Sequence, residues 1–166
     1  MEKDKKGTLY IVGTPIGNLG DITIRAIETL KSVDVILAED TRQTLKLLNH
    51  FNIQKHLVSY HRHNEDEKIK NVVDFLDSGK DLALVSDAGM PVISDPGQNL
   101  IKYLVANNYN IVTIPGVTAV ITAIVKSGLD STRFTFEGFL SINKKQRKQR
   151  LESLKNEERT MVFYEA

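Results

Sequence analysis

Residues 9–20 read Leu-Tyr-Ile-Val-Gly-Thr-Pro-Ile-Gly-Asn-Leu-Gly. A short apolar run breaks off into a segment with Gly13, Pro15, Gly17 and Gly20. An unbroken run of this length suits a strand covered on both faces, because both rows of side chains leave water. The glycines and the proline then end it and turn the chain. The same unit recurs downstream. Residues 35–38, 57–60, 81–85 and 110–114 are strand candidates, and residues 23–30, 41–51, 64–76 and 99–106 are helix candidates between them. This alternation predicts an α/β chain with a mainly parallel N-terminal sheet over residues 1–115.

After Gly116 the order changes. A helix over 117–126, a strand around Phe134 and Phe136, a basic helix over 144–154 and a strand over 160–164 predict the start of a second α/β domain, 116–166. The 50 residues after Gly116 are few for a core of their own. The expectation is therefore a truncated chain, with a second domain begun and not finished.

Composition excludes several classes. There is no cysteine, so thiolate zinc sites, iron–sulfur clusters and disulfides are out. No stretch approaches the roughly 18 apolar residues of a membrane span, and a cytoplasmic protein is expected. Net charge is +1, but it is unevenly spread. Residues 1–140 hold 15 bases and 17 acids, whereas residues 141–166 hold 7 bases and 4 acids. Lys144, Lys145, Arg147, Lys148 and Arg150 supply most of that excess and suit either phosphate contact or a solvated helix face.

In an open parallel sheet, ligands bind beyond the carboxyl ends of the strands. Three segments fall there: residues 13–19, Glu39-Asp40-Thr41-Arg42, and residues 86–97. The first lacks the glycine spacing of a dinucleotide-binding loop and the Gly-Lys-Ser/Thr ending of an ATPase loop. Asp40 reads either as a helix cap or as a functional carboxylate. Arg42 reads as a partner for a carboxylate or a phosphate. The third segment combines two glycines with two prolines, which fixes its backbone and suits main-chain ligand contacts. His61 and His63 have strand-like spacing and suit substrate contact or capping better than metal binding. Tyr60, Phe139 and Tyr164 could stack on bases, but core packing is the commoner use of such residues.

Seven segments together carry a resemblance: LYIVGTPIGNLGDIT, ILAEDTRQT, SYHRHNE, LVSDAGMPVISDPG, IPGVTAVITAIVKSGL, FTFEGFL and VFYEA. In this order they resemble the bacterial 16S ribosomal RNA cytidine 2′-O-methyltransferases of the tetrapyrrole methylase superfamily. The resemblance implies two α/β domains with S-adenosylmethionine as cofactor, and 16S ribosomal RNA or the small ribosomal subunit as partner. It implies no membrane and no metal, and a homodimer is plausible.

The resemblance places cofactor contacts at Thr14, Pro15 and Gly17, at Asp87, Ala88, Gly89, Met90 and Pro91, and at Pro115, Gly116, Thr118 and Ala119. Met90 stands where the family usually has threonine. Gln43 stands where a histidine is frequent, which argues against acid–base work at that position. Catalysis needs a group to take the hydroxyl proton; Asp40 is the first candidate, with Glu39, Asp87 and His61 as rivals. Substrate contacts fall on Arg42, Asn64 and the five cations of residues 144–150. Two alternatives stay open: a non-catalytic RNA-binding or ribosome-associated domain, and a related enzyme that methylates a small molecule.

Overall fold

A computed structural model describes residues 6–61 and 65–165. The expected His63 and Asn64 lie outside the described residues. The chain divides into two compact units, the first ending at Thr118 and the second beginning at Ala119.

The first unit is one five-stranded sheet with helices on both faces. Its elements are β1 (Thr8–Val12), α1 (Ile24–Ser32), β2 (Val35–Ala38), α2 (Thr41–His50), β3 (His56–Ser59), α3 (Glu65–Asp77), β4 (Leu82–Val85), α4 (Gln98–Ala106) and β5 (Asn110–Ile114). The strand order is β3-β2-β4-β1-β5, and every neighbouring pair is parallel. Position explains composition. The interior strands β2 and β4 are VILA and LALV, buried at every residue, whereas the edge strand β3 has no fully buried residue.

The connections explain the two layers. From β1 through β3 the chain moves toward one edge of the sheet, and from β3 through β5 it moves back. Right-handed crossovers in opposite directions put their helices on opposite faces. Ala26 and Leu30 of α1 and Leu48 of α2 accordingly pack with Val12, Ile36, Ala38 and Val85. Val72 and Leu76 of α3 and Leu100 and Leu104 of α4 pack with Leu9, Leu37 and Leu84 on the other side. Tyr60 is fully buried in this second cluster, so it does not offer a ring for base stacking.

The second unit contains α5 (Ala119–Ser127), β6 (Phe134–Phe139), α6 (Lys144–Ser153) and β7 (Thr160–Tyr164). β6 and β7 form a parallel pair whose register shifts between Phe136 and Gly138. Tyr164 packs edge-on against Phe136, with ring centroids 4.8 Å apart. Residues 117 and 118, expected to open a helix, precede α5 as irregular chain. One element escaped the sequence reading, a 3₁₀ turn at Leu19–Asp21 capped by Asn18, whose side chain accepts from Gly20 N–H at 2.9 Å.

Candidate active site at the carboxyl edge

Five parallel strands end on one edge, so the loops after β1, β2, β4 and β5 meet there. Their meeting is built from main-chain contacts. Thr14 N–H donates to the Gly89 carbonyl at 2.9 Å, and Gly89 N–H donates to the Thr14 carbonyl at 3.0 Å. The buried Thr14 hydroxyl donates to the Ser86 carbonyl at 3.2 Å. Gly89 has φ +82°, a backbone state that an L side chain adopts with strain. The loop after β5 comes equally close. A Cβ on Gly13 would stand 2.8 Å from Gly116 Cα and 2.7 Å from Met90 Sδ. Three loops thus share one tightly packed junction, and it explains the glycines at 13 and 116.

The loop after β2 is tied to the loop after β4 by a charged group. Asp87 accepts from Asp40 N–H at 3.1 Å. Asp40 caps α2, accepting from Arg42 N–H at 2.8 Å, and it also takes Arg42 Nε at 3.0 Å and Nη2 at 2.7 Å. The Arg42 guanidinium, with its N–H, holds the Asp40 carboxyl down at about 2. The cap reading of Asp40 and the carboxylate-partner reading of Arg42 therefore meet in one fork. Glu39 follows β2, and His61 lies two residues beyond β3; the register Ala38↔Ser59 carries both to the same edge.

A pocket of about 280 Å³ opens beside this junction. Thr14, Pro15, Gly17, Asn18 and Leu19 line it from the first loop, Gln43, Lys46 and Leu47 from α2, and Asp87 from the β4 loop. Of these, Gln43, Lys46 and Leu47 were not singled out as site residues by the sequence, and Asn18 and Leu19 only as part of the 13–19 segment. The signal for the α2 residues was the helical spacing of Gln43, Lys46 and Leu47, which puts all three on one side of that helix.

Residues 8–166 match the tetrapyrrole (corrin/porphyrin) methylases. The chain belongs to the tetrapyrrole methylase family. It is 54% identical over 166 residues to the ribosomal RNA small subunit methyltransferase I of Halalkalibacterium halodurans, covering 100% of this chain and 57% of that protein. It is 51% identical over 160 residues to the protein of the same name from Thermotoga maritima, covering 96% and 72% respectively. The chain thus spans a little over half the length of the first of these relatives. Among solved structures it superposes on diphthine synthase with a TM-score of 0.67 at 16% identity, covering 89% of this chain and 61% of that one. It superposes on uroporphyrin-III-C-methyltransferase from Thermus thermophilus with a TM-score of 0.60 at 20% identity, covering 80% and 60%. At such identities the likeness is one of fold.

In this tetrapyrrole methylase, the remaining expected site residues divide by unit. Pro115, Gly116 and Thr118 belong to the first unit with the junction, whereas Ala119 opens α5 in the second. Ala88 is exposed on its loop, and Pro91 is buried. The basic helix α6 starts at an Asn143 cap, which accepts from Lys145 N–H at 3.0 Å and Gln146 N–H at 3.2 Å. None of its residues is buried. Lys144, Lys145 and Lys148 are exposed and Arg147 is half-buried. Arg150 is already engaged, its guanidinium donating to Glu137 through Nε at 3.0 Å and through Nη2. Glu137 sits at the register shift of β6 with a side chain only 7% exposed. Among the described residues no group of three or more potential ligands could hold a metal ion. No described helix is long and apolar enough to cross a membrane.

Proposed function

We propose that the protein transfers a methyl group from S-adenosylmethionine to the ribose 2′-hydroxyl of a cytidine in 16S ribosomal RNA. The observation that carries this reading is the 54% identity over all 166 residues to a ribosomal RNA small subunit methyltransferase I. The partner is then 16S ribosomal RNA or the small subunit, met in the cytoplasm, and the enzyme works as a homodimer without a metal.

The junction fits such a cofactor by its chemistry. Gly89 is held at a positive φ in the Thr14 bridge, and Gly17 has φ +143° with open space where a Cβ would stand. Main chain of this kind can approach a ligand closely. Thr14, Pro15 and Gly17, Asp87 through Pro91, and Pro115, Gly116, Thr118 and Ala119 are the proposed contacts. When bound, S-adenosylmethionine supplies a methyl group already activated by its sulfonium charge.

The chain's own work is to align the hydroxyl with that methyl group and to take its proton. Asp40 is ionised at neutral pH, and both its oxygens are held by Arg42. A carboxyl near 2 is a poor proton acceptor. Its proposed task is therefore to orient Arg42 toward a substrate phosphate, which leaves Glu39, Asp87 and His61 as candidate proton acceptors. Asn64 is a proposed substrate contact. Lys144, Lys145, Arg147 and Lys148 are proposed to meet RNA phosphates, with Arg150 contributing through its remaining donors.

Mass mapping of 16S ribosomal RNA from cells with and without the gene tests the reading. One 2′-O-methylcytidine should disappear with the gene. An unchanged methylation pattern contradicts it.

A further inference from the structure

The pocket beside the junction contains a polar pair that the proposed reaction does not use. Lys46 Nζ donates to Gln43 Oε1 at 3.1 Å. An ammonium group has donors only, so it must meet the amide oxygen and not the amide nitrogen. The Gln43 NH₂ is thereby turned away from Lys46. Gln43 and Lys46 line the pocket together with Leu19, Leu47, Pro15 and Asp87.

We infer that this pocket receives the target pyrimidine, with Gln43 reading its base edge and Lys46 fixing the orientation of the Gln43 amide. The inference rests on the RNA-methylating reading and specifies its substrate subsite. Size agrees: about 280 Å³ falls just below the roughly 300–1,000 Å³ of pockets for drug-sized ligands and suits a single small base. Leu19, Leu47 and Pro15 supply apolar surface for a ring. Chemistry chooses among pyrimidines. Cytosine N3 is an acceptor, whereas uracil carries a hydrogen at N3. A donor alone does not discriminate, because uracil O4 and O2 also accept; the preference comes from setting the Gln43 NH₂ opposite N3 and Asp87 opposite the 4-position, where uracil would place N3–H against a donor and O4 against a carboxylate. Asp87 adds acceptors for the cytosine amino group. It takes one hydrogen bond from Asp40 N–H, and a carboxylate has about four acceptor sites. Thr14, Pro15, Gly17 and Asp87 also belong to the proposed cofactor contacts, so a base held here lies beside the methyl donor, as the reaction requires.

The test is a nuclear magnetic resonance titration of the full chain with cytidine 5′-monophosphate, with uridine 5′-monophosphate and, separately, with S-adenosylmethionine. The cytidine nucleotide should shift the Gln43 side-chain NH₂ signals and bind about 10-fold more tightly than the uridine nucleotide, the discrimination of one well-placed base contact. Gln43→Glu should abolish the preference without changing the melting temperature, because Gln43 is exposed. Lys46→Met should weaken the preference and Lys46→Arg should restore it. Equal response to the two nucleotides, an unmoved Gln43 NH₂, or a preference that survives Gln43→Glu would reduce the pair to a helix-surface contact and overturn the inference. If S-adenosylmethionine shifts the Ala88 and Gly89 amides while neither nucleotide touches the pocket, the subsite alone falls. If no ligand shifts anything, the subsite falls, and the methyltransferase reading is decided separately by the methylation pattern of 16S ribosomal RNA from cells with and without the gene.

Discussion

The carboxyl edge of the first unit and helix α6 of the second both concentrate polar groups, but they hold them in opposite ways. At the edge, polar groups are committed to one another across long stretches of chain. Thr14 bonds Gly89, and Asp40 bonds Asp87. Along α6, the cap at Asn143 and the Arg150–Glu137 pair are local ties, and the lysines face solvent. The first arrangement fixes geometry before any ligand arrives. The second supplies charge without burying it. Substitutions at the edge should therefore cost folding as well as binding, whereas substitutions of the α6 lysines should cost binding alone.

The largest effect separates the two ends of the sheet within the first unit. A Cβ on Gly7 would stand 1.8 Å from the Lys80 carbonyl oxygen, and one on Gly13 2.8 Å from Gly116 Cα. Gly7→Ala and Gly13→Ala should both lower stability in urea unfolding, by about 1–3 kcal/mol, with Gly7→Ala the worse. Only Gly13→Ala should disturb the Gly89 amide signal. Equal disturbance at Gly89 from both variants would show that the junction merely reports global stability. Thr14→Val comes next. It removes a buried donor to the Ser86 carbonyl and should cost about 1–2 kcal/mol in the same assay. A loss within error would mean that the main-chain bridge alone holds the loops.

Proton titration gives a smaller, local effect. The Asp40 carboxyl is held at about 2 because Arg42 bonds the ionised form, against an ordinary value of 3.8. Its contribution to stability is complete above about 4 and fades as pH falls toward 2. Arg42→Ala should raise the Asp40 midpoint toward the ordinary value, read from its carboxyl carbon resonance. An unmoved midpoint would assign the depression to the helix cap. The smallest effect on folding belongs to α6. Changing Lys144, Arg147 and Lys148 together to glutamine should move stability by no more than about 0.5 kcal/mol. In RNA filter binding across salt, the slope of log affinity should fall by about 2, at roughly 0.7 per lost single-strand phosphate contact. An unchanged slope would make α6 a solvated face.

The two regions were also unequally legible in the sequence. Residues 35–38 and 81–85 were legible as strands, because full burial leaves a nearly unbroken apolar run. The motif loops could be placed at the carboxyl edge, because parallel strands allow no other place. The Thr14–Gly89 bridge and the Gly13–Gly116 approach were not legible, since each joins residues that only the strand order brings together. The cations of α6 were obvious, but the engagement of Arg150 was not. It joins α6 to Glu137 of β6, a meeting of two elements that the spacing of the cations does not show. The pocket needed both kinds of information at once: the helical phase of Gln43 and Lys46, and the path of the first loop.

The most direct test of the account is transfer itself. The protein is incubated with methyl-labelled S-adenosylmethionine and either 16S ribosomal RNA or small subunits, and the RNA is digested to nucleosides for mass analysis. The account predicts label in 2′-O-methylcytidine at a single site. Label on a base atom or on another nucleoside, or none with either substrate, would contradict it.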